Sequence, residues 1–188
     1  IEELFSYTKL MSGEITLHRS EIDIVKLVEQ MVEEFYPQFH DNGLEYNLSQ
    51  NVSGCIIYAD GELMARAVQN LISNAIKYGR DGKRVFVEVE KFEKEIQIRV
   101  TNFGLIIPQE SLTRIFDRFY RVEDSRSVQT GGTGLGLNIA RQIVLLHDGA
   151  IKVESDTDGT CFTIALPLNM QKKELLNSDE QVKDEIKI

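Results

Sequence analysis

The sequence is short of basic residues and has no long apolar run. Its 188 residues include 21 lysines and arginines against 30 aspartates and glutamates, so the formal net charge is −9. This balance argues against a nucleic-acid partner, because such binding rests mainly on Lys and Arg contacts to phosphates. No apolar stretch approaches the roughly 18 residues of a membrane span, and the opening IEELFSYTKL lacks the basic region and cleavage site of an export signal. We therefore expect a soluble fragment that is neither inserted into a membrane nor exported.

Cysteine is also scarce. Cys55 and Cys161 lie in the apolar, strand-like runs CIIY and CFTIAL. Cysteines in such runs usually serve as small buried hydrophobic side chains. Nothing in the pattern requires a disulfide.

The periodicity predicts one α/β domain with short appendages. Helices are predicted in residues 1–11, from a cap at Ser20 or Asp23 to about Pro37, from a cap at Asp60 to Tyr78, in QESLTRIFDRFY, and after the glycines of GGTGLGL. Strands are predicted in LEYNLS, CIIYAD, RVFVEVEKF, EIQIRVTNF, AIKVES and CFTIALPL, the third and fourth forming a hairpin. This order predicts an α/β sandwich, a mixed and mostly antiparallel sheet with helices on one face. The charged stretch from Asn169 reads as a flexible tail.

The helix that follows Asp60 has two contrasting sides. Its polar stripe carries Arg66, Asn70, Ser73, Asn74 and Lys77, opposite an apolar stripe. A merely solvated face is a reasonable alternative, but Asn costs roughly 0.5 kcal/mol or more of helix propensity, and Glu, Lys or Gln would serve better. Two Asn carbonyl oxygens and a cation in one row suit Mg²⁺ that takes its remaining ligands from water and substrate phosphates.

Glycines crowd the start of the helix after residue 131. The run GGTGLGL lacks the Lys-Ser/Thr of a P-loop and the glycine spacing of the dinucleotide fingerprint. Glycines at a helix start nevertheless indicate a backbone that closely approaches a ligand, most often phosphate.

Three boxes now carry a resemblance. NLISNAIKY (70–78), FDRFYR (116–121) and GGTGLGL (131–137) resemble, in order and spacing, the N, F and G2 boxes of the catalytic ATP-binding domain of sensor histidine kinases. The similarity runs from about residue 14 to 168. It implies the Bergerat-type ATP-binding fold, shared with gyrase-, Hsp90- and MutL-like ATPases. EFYPQF and FYRVEDSRS are further similar to the vancomycin-resistance sensor kinases, which implies control of glycopeptide resistance genes.

The resemblance assigns roles to individual residues. Asn74, with Asn70 beside it, would coordinate Mg²⁺, Lys77 would reach the phosphates, and Tyr78 would pack near the adenine. Residues 120–131 would form a lid over ATP, with Arg121 and Arg126 either contacting phosphate or remaining solvated. Phe116 and Phe119 would pack the base of this lid against the core. The full set implied for ATP binding is Asn70, Asn74, Lys77, Tyr78, Asn102, Gly104, Ile107, Phe119, Tyr120, Arg121, Arg126, Gly132, Thr133, Gly134, Leu135, Gly136 and Leu137.

One box departs from the family pattern. Where the family has Asp, Gly, x, Gly, the chain reads NFGLIIP, so Asn102 replaces the Asp and Ile106 the second Gly. The family's Asp accepts a hydrogen bond from the adenine amino group. A neutral Asn oxygen in its place would bind nucleotide roughly tenfold more weakly. We expect the Ile106 side chain to point into the core.

The acceptor histidine of the family is missing. It lies in a motif like His-Asp/Glu-x-x-x-Pro on a separate helical hairpin, and none of His18, His40 and His147 has the proline. No general base is identifiable either. The resemblance therefore implies a fragment: residues 1–13 end the dimerisation and phosphoacceptor hairpin, 14–168 form the catalytic domain, and 169–188 are a tail. The intact protein would be a homodimer at the cytoplasmic face of the membrane, held there through preceding segments, with a response regulator as partner.

Two other functions remain open at this point. A related ATPase, such as a chaperone, a topoisomerase subunit or a serine kinase acting on an anti-sigma partner, would share the fold. Chaperones and topoisomerases, however, place a Glu where Asn70 stands. The second alternative is a non-catalytic module whose degenerate pocket only docks a partner.

Overall fold

A computed structural model describes residues 16–104, 106–122 and 133–168. The strands are β1 (Ser20–Asp23), β2 (Glu45–Gln50), β3 (Ile56–Ala59), β4 (Arg84–Lys91), β5 (Glu95–Asn102), β6 (Ala150–Asp156) and β7 (Gly159–Pro167). The helices are α1 (Ile24–Glu34), α2 (Tyr36–Asp41), α3 (Gly61–Tyr78), α4 (Gln109–Leu112) and α5 (Gly136–Leu146). The predicted ends, residues 1–13 and 169–188, lie outside the described residues.

The main sheet has five strands in the order β2-β4-β5-β7-β6. β2 pairs with β4 in parallel, and the other three pairs are antiparallel. β1 and β3 form a separate two-stranded antiparallel sheet. The predicted mixed, mostly antiparallel sheet and the predicted β4–β5 hairpin are therefore confirmed.

The core lies between one face of the main sheet and the helices. Alternate side chains of a strand point to the same face, and in β4 and β5 every second residue is fully buried. Helix α3 buries residues at the three- and four-residue spacing of one helical side. These residues are Met64, Ala67, Val68, Leu71, Ile72, Ala75 and Ile76. Each fully buried aliphatic side chain stabilises the fold by about 1.5–3 kcal/mol, so this face holds the domain together.

Two aspartates begin the principal helices. Asp60 caps α3 by accepting a hydrogen bond from the Leu63 N–H, as predicted. Asp23 caps α1, whereas Ser20 lies in β1. The Asp23 carboxylate also accepts from the Cys55 N–H at 3.0 Å, and this bond is the main reason that the pKa of Asp23 is lowered. The cap therefore also ties the start of α1 to the loop before β3.

Two helix predictions were too long. The chain leaves α1 at Glu34 and starts α2 at Tyr36, because Pro37 is tolerated within a helix's first turn but not in its interior. The run QESLTRIFDRFY is helical only over Gln109–Leu112 and continues in turns, ending with Phe119 at φ 59°. The left-handed backbone at that residue is incompatible with a continuing helix.

The two cysteines differ in burial. Cys55 is buried as expected, but Cys161 is only half-buried, because it lies on the face of β7 opposite the buried core residues. Both thiols are free. Within the described ranges, no helix combines the length and apolar character needed to cross a bilayer.

Candidate functional site

Three polar side chains form a row at one end of the main sheet. Asn102 on β5 is paired with Thr160 on β7, and Thr160 is paired with Ser155 on β6. All three are buried and occupy the alternation positions that carry apolar core residues further along each strand. The apolar core therefore ends here in a polar row, next to the end of α3.

Asn102 is the most enclosed member of this row. Its residue exposure is 2%, and a Cβ added to Gly79 just after α3 would lie 3.2 Å from the Asn102 Cβ. Its Nδ2 atom is buried and has no hydrogen-bond partner among the described residues. A buried donor without a partner is costly, so this atom requires an explanation beyond the fold.

The other two members of the row are linked hydroxyls that sequence reasoning missed. Ser155 Oγ lies 2.6 Å from Thr160 Oγ1 and accepts a hydrogen bond from the Ile107 N–H at 2.9 Å. The sequence offered one signal, since both residues continue the apolar alternation of their strands with a polar side chain. Their adjacency to Asn102 depends on the strand register, which the sequence pattern did not reveal.

Gly104 is required by the backbone that passes beside it. A Cβ there would lie 1.7 Å from the carbonyl oxygen of Tyr78, the last residue of α3. The loop after β5 is thus pressed against the end of α3. This contact brings Gly104, Asn102 and Tyr78, three of the predicted site residues, to one place.

The polar side of α3 faces the start of α5. The Asn70 Oδ1 atom lies 3.2 Å from the position that a Cβ of Gly136 would occupy, while its Nδ2 is buried and unpartnered within the described chain. Asn74 and Lys77 continue the same side as half-buried residues, and the Lys77 Nζ lies 5.2 Å from the centre of the Tyr78 ring. Asn70 in the predicted polar stripe is therefore packed against the start of another helix, whereas Ser73 in the same stripe is exposed.

The first turn of α5 has no side-chain cap. Leu135 precedes it without a capping hydrogen bond, and no acidic residue lies in the turn. The N–H groups at the start of a helix lack partners within the helix and carry the positive end of its dipole. An 11-residue helix that starts beside Asn70 is therefore suited to bind an anion.

Gly134 joins the glycine stretch to the F box. It has φ 72°, its carbonyl accepts a hydrogen bond from the Phe119 N–H at 3.2 Å, and a Cβ would lie 3.0 Å from the Phe119 backbone. Glycine is favoured at position 134 because its backbone is left-handed and because the Phe119 backbone leaves no room for a side chain. The two chain segments that flank residues 123–132 consequently meet at this point.

The two phenylalanines of the F box differ in how far they are buried. Phe116 is buried, with its ring edge-on to Phe162, and its carbonyl accepts a hydrogen bond from Asn138 Nδ2 on α5 at 2.7 Å. Phe119 is 61% exposed, so the expectation that it packs against the core is wrong. Its positive φ turns the chain back toward Gly134, which leaves the ring outside.

Ile106 is also misjudged by the sequence analysis. Its side chain is 52% exposed and does not point into the core. Ile107 instead packs against the core, and its N–H is bonded to Ser155.

The structure describes most, but not all, of the remaining residues that were predicted to bind ATP. The Tyr120 hydroxyl bonds Ser111 Oγ at 2.9 Å, and the Arg114 guanidinium lies 4.4 Å from the centre of the Tyr120 ring. Arg121 and Leu137 are half-buried, Leu135 is buried and Thr133 is exposed. Arg126 and Gly132, together with most of the predicted lid, lie outside the described residues.

The donor set decides which metal could be held. In the described part of the chain, no group of three or more His, Cys, Asp or Glu side chains could hold a metal ion. The oxygens that the sequence analysis assigns to a metal on α3 are the neutral amide oxygens of Asn70 and Asn74. Such a pair fits Mg²⁺ that keeps waters and takes oxygens from a bound phosphate chain, and it does not fit a metal that needs its own protein cage.

A mixed sheet that ends in a buried polar row, covered by helices of which one starts without a cap, fits an α/β domain that binds nucleotide. The protein-family model described as "Histidine kinase-, DNA gyrase B-, and HSP90-like ATPase" matches residues 59–170. The chain belongs to this family. Within it, the domain is of the type that forms the catalytic domain of sensor histidine kinases.

Two curated relatives illustrate the match. "Sensor protein VanSC" of Enterococcus gallinarum is 37% identical over 169 residues, which is 89% of this chain and 46% of that protein. "Sensor histidine kinase CusS" of Escherichia coli K12 is 33% identical over 177 residues, covering 89% of this chain and 36% of the relative. The chain thus spans less than half the length of either relative.

A solved structure shows the same fold. The crystal structure of full-length ShkA in complex with AMPPNP superposes with a TM-score of 0.77 at 24% identity, over 90% of this chain and 35% of that one. The fold predicted from the sequence is therefore confirmed.

Proposed function

We propose that the domain binds Mg·ATP and transfers the γ-phosphoryl group to a histidine on a helical hairpin that precedes it in the intact kinase. The observation that supports the proposal is that three features lie along α3. These are the polar row around Asn102 beside the end of α3, the Asn side of α3 itself, and the uncapped start of α5 beside Asn70. Together they offer a base-recognising end, a cation-binding side and an anion-binding turn.

The base would lie at the end of the main sheet. Asn102 would bond the edge of the base, with Tyr78, Gly104 and Ile107 enclosing it. The buried and unpartnered Nδ2 of Asn102 supports this assignment, because an acceptor nitrogen on the edge of the base would satisfy it while the amide oxygen accepts from the amino group.

The phosphates would lie at the start of α5. The N–H groups of residues 134–137 would bond phosphate oxygens, aided by the helix dipole. Lys77, Arg121 and Arg126 would neutralise charge, and residues 120–131 would close over the nucleotide as a lid. Asn74, with Asn70 beside it, would hold Mg²⁺, which supplies charge neutralisation of the phosphate chain.

The chain's own histidines do not suit the role of acceptor. His147 is buried, and both ring nitrogens are engaged: Nε2 accepts from the Asp60 N–H at 3.0 Å, and Nδ1 donates to the Ile143 carbonyl at 2.7 Å. His18 and His40 lack the acceptor motif. The acceptor would therefore come from the hairpin, and no general base is assigned within this chain. Positioning and charge neutralisation would dominate the transfer.

The activity of the whole protein is part of the proposal. By similarity to the sensor kinases, the intact protein would form a homodimer at the cytoplasmic face of the membrane and pass the phosphoryl group to an aspartate of a response regulator. Similarity to VanSC supports control of glycopeptide resistance genes. A test is the minimum inhibitory concentration of vancomycin in a strain that lacks the full gene, and an unchanged value would exclude this role.

The central experiment is phosphoryl transfer with separated parts. Incubated with γ-labelled ATP and Mg²⁺, this chain should bind ATP but acquire no label. Adding the phosphoacceptor hairpin should give slow labelling of the hairpin, since the tether that raises effective concentration is absent. The label should be acid-labile and base-stable, as a phosphohistidine is. Stoichiometric labelling of this chain alone, or acid-stable labelling of a partner, would contradict the proposal.

ATP hydrolysis is the main competing activity. The side chain at position 70 is an amide and not a carboxylate, so it cannot take a proton from water. Steady release of free phosphate, faster than labelling of the hairpin, would favour a chaperone- or topoisomerase-like ATPase.

A further inference from the structure

Asn102, the most enclosed member of the polar row, carries an amide, which offers both a donor and an acceptor. Its Nδ2 is bonded to nothing in the described chain. Rotating the amide by half a turn exchanges the two atoms. A carboxylate at the same position could only accept.

The hydroxyls beside Asn102 share this property. Ser155 Oγ and Thr160 Oγ1 are 2.6 Å apart, and either atom can be the donor. Ser155 still accepts the Ile107 N–H in both arrangements, because a hydroxyl oxygen has two lone pairs. The direction of the Ser155–Thr160 bond can therefore reverse while the bond to Ile107 is kept.

We propose that this row binds purine nucleotides with either a 6-amino or a 6-oxo group, so that the domain accepts inosine and guanine nucleotides as well as adenine nucleotides. The inference rests on the proposed nucleotide site and specifies its substrate class. With an adenine base, the Asn102 oxygen accepts from the 6-amino group. With a 6-oxo base, the amide is turned and its Nδ2 donates to the oxygen. Both bonds are neutral, so they contribute similar free energies.

The test is a series of diphosphates that differ at position 6 and, for the 6-oxo base, also by the proton on N1. Calorimetric titration of the chain with ADP, IDP and purine riboside diphosphate, each with Mg²⁺, compares an amino group, an oxo group and a hydrogen. IDP also lacks the 2-amino group of GDP, so bulk at position 2 does not enter the comparison. We expect Kd values of ADP and IDP within about tenfold of each other, and binding of the purine riboside about tenfold weaker than both, because its bond at position 6 is lost.

A substitution at Asn102 provides a second test of the preference between ADP and IDP. Asn102→Asp fixes an acceptor, so ADP binding should tighten by about tenfold while IDP binding weakens, and the ADP preference should rise by at least that factor. Asn47→Asp on the exposed strand β2 makes the same change of charge away from the site and should leave the ratio unchanged. If Asn102→Asp does not fold, the wild-type series still decides.

Failure of this inference and failure of the proposed function would give different results. An ADP preference over IDP of more than about tenfold in the wild type, equal binding of the purine riboside, or an unchanged preference in Asn102→Asp would each overturn the inference while leaving the nucleotide site intact. Failure of all three nucleotides to bind, with or without Mg²⁺, would instead overturn the proposed function on which it rests.

Discussion

Helices α3 and α5 join two polar clusters that are opposite in character. At the start of α3 and the end of α5, Asp60 and His147 are fully partnered with each other, with the His18 N–H and with nearby backbone groups. Further along the same helices, Asn70 in the middle of α3 and Asn138 in the first turn of α5 each have a buried polar atom without a partner in the described chain, as has Asn102 beside the end of α3. We call this second group the unpartnered end and the first the partnered end. The partnered end is complete as a protein structure, and the unpartnered end is where we propose that nucleotide binds.

The difference has an energetic meaning. A buried polar atom without a hydrogen bond costs about 1–3 kcal/mol, so three of them reduce stability appreciably. Asn70 and Asn138 lie where α3 meets the start of α5, and Asn102 lies beside the end of α3. The cost of these unpartnered atoms supports the proposal that a bound nucleotide satisfies them.

The largest expected effect is at the unpartnered end. Asn74→Ala should abolish the Mg²⁺-dependent part of nucleotide affinity, because it removes the amide oxygen proposed to hold the ion. The fold should be retained, since Asn74 is only half-buried on the polar side of α3. Titration with and without Mg²⁺ tests the first statement, and far-UV circular dichroism the second. Full retention of the Mg²⁺ effect would remove Asn74 from the site.

The partnered end should respond in stability. Asp60→Ala removes the cap of α3 and leaves the His18 and Leu63 N–H groups without acceptors. We expect a loss of about 2–4 kcal/mol in unfolding free energy. Asp60→Asn, which keeps one oxygen, should lose about half as much. Urea unfolding measures both, and a loss below about 0.5 kcal/mol for Asp60→Ala would show that the cluster contributes little.

A smaller effect is expected at the junction of the glycine stretch and the F box. Gly134→Ala should cost about 1–2 kcal/mol for its φ of 72° and more for the Phe119 backbone 3.0 Å away. Gly43→Ala is a matched control, because Gly43 has φ 63° but no atom within 4 Å of an added Cβ. Only Gly134→Ala should also weaken nucleotide binding. Equal losses of stability and equal affinities in the two variants would contradict the contact.

The smallest effect concerns pH. Burial is the main cause that lowers the pKa of His147, with Arg19 acting in the same direction and the Ile143 carbonyl, Asp60 and Asp148 opposing it. Because the unfolded histidine binds its proton more readily, stability should fall as pH drops below about 6.5, by at most about 1.4 kcal/mol per pH unit.

Two variants isolate this group. His147→Gln should flatten the decline between pH 7.5 and 5.5, measured by urea unfolding. His40→Gln, at an exposed histidine, should keep the wild-type slope. A slope that His147→Gln leaves unchanged would assign the pH dependence elsewhere.

Some of these features could be predicted from the sequence and others could not. The Asp60 cap, the β4–β5 hairpin and the polar stripe of α3 were predictable, because each depends on neighbours within a few residues. The Ser155–Thr160 pair was missed, since it is created by strand register between distant segments. The exposure of Phe119 and Ile106 was misjudged for a related reason. The left-handed backbone of Phe119 and the course of the loop after β5 decide where those two side chains point. Neither feature produces a periodic pattern in the sequence.

Calorimetric titration of the chain with ADP or a non-hydrolysable ATP analogue, with and without Mg²⁺, tests the central claim most directly. The account predicts binding of one nucleotide per chain, tightened by Mg²⁺. Absence of binding under both conditions would contradict the claim that the unpartnered amides mark a nucleotide site, and binding indifferent to Mg²⁺ would contradict the role given to the Asn side of α3.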